Sequence, residues 1–145
     1  VVGADGRETG ERWAEPAAGL HEGPEWAAAL YAANPIPVSS VLVRRDAAAS
    51  VGGFGGGPAP LAQDWDLWLR IAAAGHAFLC VPEAVVRYRR HPEGLSADTG
   101  ALARSQLVLH ERHAALAGDG RARRAARRAD RGAIARARLR SALGR

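Results

Sequence analysis

The chain has 145 residues, a formal net charge of +5 and a single cysteine, Cys80. This length is enough for one domain with a hydrophobic core. The lone cysteine excludes an internal disulfide, as is typical of proteins in a reducing cytoplasm, and no apolar run approaches the roughly 20 residues of a transmembrane helix. The chain begins with Val1 and contains no methionine, which predicts a fragment of a longer protein. No signal-peptide pattern is visible at its start.

The positive charge is concentrated at the C-terminus. Residues 1–103 carry eight arginines and twelve acidic residues, whereas residues 104–145 carry twelve arginines and three acidic residues. All twenty basic residues are arginine, which together with the abundant alanine and glycine indicates a bias of genome composition. The globular part is therefore mildly acidic, and the basic character belongs to the tail.

The first half of the chain is predicted to contain a helix and a strand between loops. Residues 1–23 lack periodicity and indicate a strand end followed by a loop. Helical spacing of apolar residues predicts a helix over 24–33, and the prolines of 34–37 impose an extended backbone. The β-branched residues of 38–44 predict a buried strand. Residues 46–50 are predicted to form a helical turn that Asp46 caps.

The second half is predicted to be richer in helix. A glycine-rich loop over 52–60 leads into the most strongly periodic helix, 64–74. That helix has apolar residues nearly all round and is therefore expected to be buried. Two short strands and two further helices complete the chain, at 77–81, 85–89, 100–117 and 119–143.

Two carboxylates, Asp64 and Asp66, stand at the start of the buried helix. A carboxylate on a rigid helix start beside a flexible loop suits a general base, which takes the proton of an attacking hydroxyl. The alternative is that Asp64 is only the N-cap of the helix. The pair also imitates an Asp-x-Asp metal motif, but helical residues two apart point to nearly opposite faces and do not readily share an ion. Asp66 is therefore expected to interact with the helix dipole or to orient a neighbour.

A glycine turn, formed by Gly52, Gly53 and Phe54, precedes this helix. The glycines supply backbone freedom where a bulky ligand comes close, and the alternative is a mobile surface loop. Trp65 and Trp68 within the helix either offer faces on which a sugar stacks or belong to the core, as buried tryptophans more often do.

Basic residues cluster in the segment Arg87-Tyr88-Arg89-Arg90-His91. A guanidinium makes paired, charged hydrogen bonds to a diphosphate, and a neutral imidazole binds divalent metals. A solvated strand end is the alternative interpretation. The other four histidines have no cysteine or acidic partner at metal-ligand spacing and are interpreted as structural: His21, His76, His110 and His113.

Together, these motifs and Asn34 resemble the second half of a family 2 glycosyltransferase. In that family the base is the aspartate of an acidic pair that stands just before an aromatic residue and a second aspartate. Here the pair is Gln63-Asp64, so the aspartate matches and its acidic neighbour does not. The resemblance implies that Asp64 is the catalytic base and that Trp65 and Asp66 lie on the substrate side.

The resemblance extends to both flanking segments. The turn over residues 52–54 matches a family turn that shapes the acceptor side, although glycines replace the acidic residues that usually follow it. A Tyr-Arg-x-His stretch approaches the nucleotide diphosphate or its metal in the family, which implies that Arg89 binds the diphosphate and His91 the metal. Ser96 then falls in a loop that often closes over the site in relatives.

The fold implied by the resemblance is α/β. Residues 1–117 would form the C-terminal, acceptor-side half of a GT-A type fold, and residues 118–145 a basic tail, helical or disordered. The implied reaction transfers a sugar from a nucleotide diphosphate sugar to an acceptor hydroxyl with inversion, in cell-wall or polysaccharide synthesis. A divalent Mg or Mn ion would offset the charge on the leaving diphosphate. Its main ligands would precede Val1, so the isolated chain is expected to be inactive.

The tail leaves a second function open, that of a noncatalytic basic module that binds nucleic acid or an anionic membrane through residues 119–145. It lacks interleaved aromatic residues and nucleic-acid motifs, so no specific nucleic acid is expected. The expected partners are the nucleotide-sugar donor, a glycan, lipid-linked or other hydroxyl acceptor, and, weakly, an anionic membrane. We therefore expect a cytoplasmic protein that can lie at the inner face of the membrane, with a solvated or disordered tail that adds little to the core.

Overall fold

The computed structural model describes residues 1–13, 16–55, 59–94, 97–118 and 120–143. Within these ranges the chain forms five α-helices and two short strands. In chain order they are β1 (Gly19–His21), α1 (Gly23–Ala32), α2 (Arg45–Ser50), α3 (Gln63–Ala73), β2 (Phe78–Cys80), α4 (Thr99–Arg112) and α5 (Gly120–Leu143). The loop residue Ser96 and two of the glycines that follow the turn, Gly56 and Gly57, lie outside the described residues.

Helix α3 forms the centre of the hydrophobic core. Its apolar side chains are buried on almost every side, as the sequence predicts, and Leu67, Trp68 and Leu69 are almost completely covered. They belong to the same buried cluster as Leu30 of α1 and Leu109 of α4. Full burial of each such side chain contributes about 1.5–3 kcal/mol. A helix with so little solvent-facing surface is held from several sides, and the side chains at its start are therefore fixed in position.

The sheet is limited to one antiparallel pair. β1 pairs with β2, and Leu20 lies opposite Leu79. The strand predicted at 77–81 is thereby confirmed in a shorter form. β1 lies in a stretch predicted to be a loop, because its three residues carry no recognisable alternation and the strand forms only through pairing with β2.

Two of the predicted strands are wrong. Residues 38–44 form a 3₁₀ turn followed by an extended stretch, and Leu42 is fully exposed. Of the segment 85–89, only Arg89 bridges another part of the chain, at Val2. β-branched residues favour a strand only where a neighbouring strand completes the ladder, and the described part of the chain supplies no ladder for either segment.

Helix α5 is confirmed as a helix, but the prediction of a solvated or disordered tail is wrong. The helix packs along α4, and Asp130 is 4 % exposed. Ala122 and Ala126 pack against the core cluster. These residues are four apart and therefore share one side of the helix. α5 is thus a structural part of the domain, and none of the helices within the described ranges combines the length and hydropathy that crossing a bilayer requires.

Candidate functional site

Asp64 lies in the first turn of α3, at the edge of the core. The N-cap position is occupied by Ala62, so the alternative that Asp64 is the N-cap is wrong. Asp64 Oδ1 accepts the N–H of Trp65 at 2.8 Å. The carboxylate is half-buried, and its charge lies at the positive end of the helix dipole, which favours an anion.

Asn34 lies near the Asp64 carboxylate, in the segment that follows α1. Its side chain lowers the pKa of that carboxylate, and its Oδ1 accepts the N–H of Ile36 at 3.1 Å. The segment is extended as predicted, since its prolines exclude a helix.

The two carboxylates at the start of α3 have opposite pKa shifts. Burial raises the pKa of Asp64, and the hydrogen bonds that it accepts offset only part of this effect. Burial acting alone would also raise the pKa of Asp66, but hydrogen bonds from His113 and Arg70 outweigh it and hold that pKa below its ordinary value. Carboxylates whose surroundings move their pKa values apart are suited to different roles, and the one with the raised pKa is suited to proton transfer.

Asp66 belongs to an internal ion network. Its Oδ2 accepts from Arg70 Nε at 2.9 Å, its Oδ1 accepts from His113 Nε2 at 2.8 Å, and Arg112 Nη1 lies 3.5 Å from Oδ1. The side chain is nearly inaccessible to solvent. Asp66 is therefore a structural residue and not the substrate contact that the resemblance implies. Asp64 and Asp66 face different partners, in agreement with the rejection of an Asp-x-Asp metal motif.

Arg70 connects this network to the glycine turn. Its guanidinium donates to the carbonyl oxygens of Val51 and Gly53, the latter at 2.7 Å. The turn itself requires glycine because Gly52 and Gly53 have φ values of 84° and 61°, a region that other residues adopt only with strain. A Cβ atom at either glycine would meet no atom within 4 Å. Backbone conformation, and not close packing, therefore explains the two glycines, and the turn is fastened to the C-terminal half of α3.

The aromatic candidates have different environments. Trp65 is buried, and its Nε1 donates to the carbonyl oxygen of Leu30 at 2.6 Å, so it is a core residue and not a sugar-stacking face. Trp68 is also buried. Phe54 is 55 % exposed and contacts the Trp68 ring edge-on, with ring centroids 6.4 Å apart. Of these three aromatic residues, Phe54 is the one with an accessible face.

A cleft of about 720 Å³ borders one face of α3. Its lining includes Pro35, which directly follows Asn34, and Trp68 and Ile71 of α3. Asp64, Trp68 and Ile71 are spaced by four and three residues and therefore share one face of the helix. Asp64 thus lies one helical turn before the α3 residues that line the cleft.

The lining of the cleft mixes apolar and polar residues. One part comes from residues 40–44 and another from 76–81, which include β2. Arg12, Arg44, Asp46 and Glu83 supply charged groups. Residues 38–44, wrongly predicted as a buried strand, and residues 85–89, wrongly predicted as a short strand, both contribute to this lining. Their apolar residues therefore face the cleft or solvent rather than a sheet. Such a surface fits a ligand with a substantial apolar portion.

The basic segment that follows β2 contacts the N-terminal loop. Arg89 Nη1 donates to the carbonyl oxygen of Ala4 at 3.0 Å. Val2 exchanges backbone hydrogen bonds of 2.9 Å with Tyr88 and Arg90. Tyr88 lines the cleft, whereas neighbouring side chains of an extended segment point to opposite sides. The structure therefore directs Arg89 toward the N-terminal loop and does not bring it to Asp64.

His91 was expected to bind a divalent metal. It is exposed, and its carbonyl oxygen accepts the N–H of Gly94 at 3.0 Å. Among the residues that the structure describes, no three His, Cys, Asp or Glu side chains gather where they could hold an ion. Divalent ions need several oxygen or nitrogen ligands, so His91 by itself does not form a complete metal site.

Sequence reasoning missed two features that position the site. Arg70 follows Asp66 by four residues on one helix, and this spacing is a recognised signal for an ion pair. The second is the contact between α4 and α5, where His110 Nδ1 lies 2.6 Å from Asp130 Oδ2 and both side chains are buried. The structural interpretation of His110 is confirmed, but no local pattern indicates Asp130 as its partner, because the two residues lie on different helices.

Comparison of the chain with protein-family models, with curated proteins and with solved structures finds no match. A fold alone does not define a function. A function for this chain must therefore be inferred from the chemistry of Asp64 and the neighbouring cleft, together with the motifs in the sequence.

Proposed function

We propose that this chain is the acceptor-side part of an inverting glycosyltransferase and that Asp64 is its general base. The observation that carries the proposal is the half-buried Asp64 carboxylate, whose pKa is raised by burial, on the helix face whose Trp68 and Ile71 line the cleft. The motifs that resemble a family 2 glycosyltransferase centre on the same aspartate. The motif and the local geometry thus support one residue by separate arguments.

In the proposed reaction, a hydroxyl oxygen of the acceptor attacks the anomeric carbon of the donor sugar. The bond between that carbon and the diphosphate oxygen breaks, and the diphosphate leaves with the electron pair. Asp64 accepts the hydroxyl proton and becomes a neutral carboxylic acid. A raised pKa strengthens the carboxylate as a base. The Trp65 N–H orients the carboxylate, which has lone pairs left for the proton.

The cleft supports a class of acceptor. Trp68 and Ile71 lie at its α3 wall, and Leu42 and Leu79 add further apolar surface. An acceptor with an apolar portion next to its hydroxyl would place that portion in the cleft and the hydroxyl beside Asp64. A lipid-linked acceptor or another acceptor with an apolar aglycone satisfies this requirement better than a uniformly polar glycan.

Asp64→Asn in the full-length protein should lower the rate of sugar transfer by about 100- to 10,000-fold, because that is the usual contribution of a general base. Donor affinity should change little, since Asn keeps the shape of the side chain. The assay measures transfer from a panel of nucleotide diphosphate sugars to acceptors with and without an apolar group.

Asp98→Asn is the matched control, because Asp98 caps α4 by accepting the N–H groups of Gly100 and Ala101, and Asn caps a helix equally well. A variant at Asp64 that keeps most of the wild-type rate, or a wild-type protein that transfers no sugar from any donor, would contradict the proposal.

The same substitution should make the protein more stable near neutral pH. Since burial raises the folded-state pKa of Asp64 above the unfolded value of about 3.9, the folded state binds this proton more tightly than the unfolded chain does. The stability contributed by protonated Asp64 is therefore present below the unfolded pKa and is lost as the pH rises through the folded pKa. Asn cannot ionise, so the advantage of Asp64→Asn should grow from about pH 4 toward neutrality. Urea unfolding across this pH range measures the difference, and a variant that loses stability relative to wild type as the pH rises would show the opposite sign.

A further inference from the structure

The face of α5 that points away from the domain carries exposed leucines. A helix turns by about 100° per residue, so Leu139 lies on the opposite side of α5 from the buried Asp130. Leu143 follows one turn later on nearly the same face. The two side chains are 60 % and 78 % exposed. Gly132 and Ala135 precede them in a strip along this outward face, and the Arg136 guanidinium lies beside Gly132.

Arginines border this apolar strip on both sides. α5 contains nine arginines and a single acidic residue, Asp130, which is buried against α4. The exposed surface of the helix is therefore positive along its length. By helical geometry, Arg131 and Arg138 lie on one flank of the strip, and Arg136 lies on the other.

We propose that the outward face of α5 is a docking surface for an anionic membrane. The helix would lie in the plane of the lipid headgroups, with Leu139 and Leu143 between the lipids and the arginines on the phosphate groups. A strongly charged helix with a narrow apolar strip is the pattern of interfacial helices, and guanidinium groups bind phosphate through paired hydrogen bonds. This inference does not depend on the proposed glycosyl transfer.

The features of α5 favour a membrane over a nucleic acid. A nucleic acid would leave Leu139 and Leu143 exposed to water, whereas a lipid surface covers them. The helix carries no aromatic side chain on which bases could stack. The contact between His110 and Asp130 holds α5 on α4, so the strip is presented in a fixed orientation and needs no folding step when it binds.

Vesicle co-sedimentation of the whole chain tests the proposal. Wild-type protein should bind vesicles of phosphatidylcholine with phosphatidylserine, should bind phosphatidylcholine alone far more weakly, and should lose affinity between low salt and about 0.15 M. Leu139→Ser combined with Leu143→Ser should weaken binding about tenfold or more. Arg131→Gln, Arg136→Gln and Arg138→Gln together should weaken it by about fivefold for each arginine.

Matched controls use exposed residues away from α5. They are Leu20→Ser on β1, and Arg7→Gln combined with Arg87→Gln. These controls should bind like the wild type, and every variant should keep its circular dichroism spectrum, because each side chain changed is exposed. The proposal is overturned if wild-type protein ignores phosphatidylserine, if the leucine variant binds as well as wild type, or if the controls weaken binding equally. Tighter binding to a DNA duplex than to vesicles, unaffected by the leucine changes, would assign the surface to nucleic acid and overturn it as well.

Discussion

A chain that ends at Gly118 should show no cooperative unfolding transition. The truncation removes α5, which packs along α4 and covers the buried face that contains His110. It also removes Ala122 and Ala126, which pack against the core cluster. Small domains have a net stability of only about 5–15 kcal/mol, and the loss of a helix that covers a large part of one face is expected to exceed that margin.

Asp130→Ala isolates the polar part of this contact. His110 Nε2 lies 2.9 Å from the carbonyl oxygen of Tyr31, which can only accept a hydrogen bond, so Nε2 carries a proton. Its Nδ1 lies 2.6 Å from Asp130 Oδ2, so both ring nitrogens have a hydrogen-bond partner. Removing one partner of a buried pair lowers the free energy of unfolding by about 3–5 kcal/mol. Arg131→Ala, at the exposed neighbouring position, is the matched control and should have little effect.

Urea unfolding followed by circular dichroism, together with dispersion of amide signals in NMR spectra, measures both effects. If the truncated chain unfolds cooperatively with wild-type stability, α5 is dispensable and the packing described between α4 and α5 does not stabilise the domain. If Asp130→Ala and Arg131→Ala are equally stable, the buried pair contributes nothing measurable.

Asp66→Ala should lower the free energy of unfolding by about 3–5 kcal/mol, because it removes the buried carboxylate that Arg70 and His113 share and leaves both half-buried side chains without that partner. The effect should extend to the glycine turn, since Arg70 holds the carbonyl oxygens of Val51 and Gly53. Asp66→Ala is therefore expected to reduce function indirectly, through stability and the position of the turn.

The pH dependence of this effect has a defined sign. The pKa of Asp66 is lowered in the folded state, so its stabilising contribution is present above the unfolded pKa of about 3.9 and is lost as the pH falls through the folded value. The stability of the wild type should therefore fall more steeply in acid than that of Asp66→Ala. Unfolding midpoints measured between acid and neutral pH provide the test. Asp46→Ala is the control, because its ion pair with Arg44 is exposed and such pairs contribute little; equal losses for the two variants would show that the Asp66 network is not a special source of stability.

Only part of the candidate site could be predicted from the sequence. Asp64 could be located because a glycine turn, an aspartate and a strongly apolar helix follow each other along the chain. The effect of Asn34 on its pKa depends on how the segment after α1 packs beside α3. The shift in the pKa of Asp64 arises from burial by that packing, and burial is a property of the surroundings rather than of the residue.

Trp65 and Asp66 illustrate the same limit. Both stand beside Asp64 in the sequence and share its motif, yet both side chains turn into the interior. Periodicity predicts that neighbouring helical residues face different directions. It does not predict which direction faces solvent, because that depends on where α1 and α4 lie around α3.

The sequence by itself determined helices α1, α3 and α5, because their hydrogen bonds are made within each segment and their apolar spacing is a local property. Only the tertiary structure decided that residues 38–44 and 85–89 do not form strands, since a strand needs a partner from elsewhere in the chain. The arginine-rich tail shows both sides of this division. Its composition determined a positive helix, but the buried contact of Asp130 with His110 decided that the helix belongs to the domain. Desolvation and pairing act between segments that are distant in sequence, and local patterns therefore do not encode them.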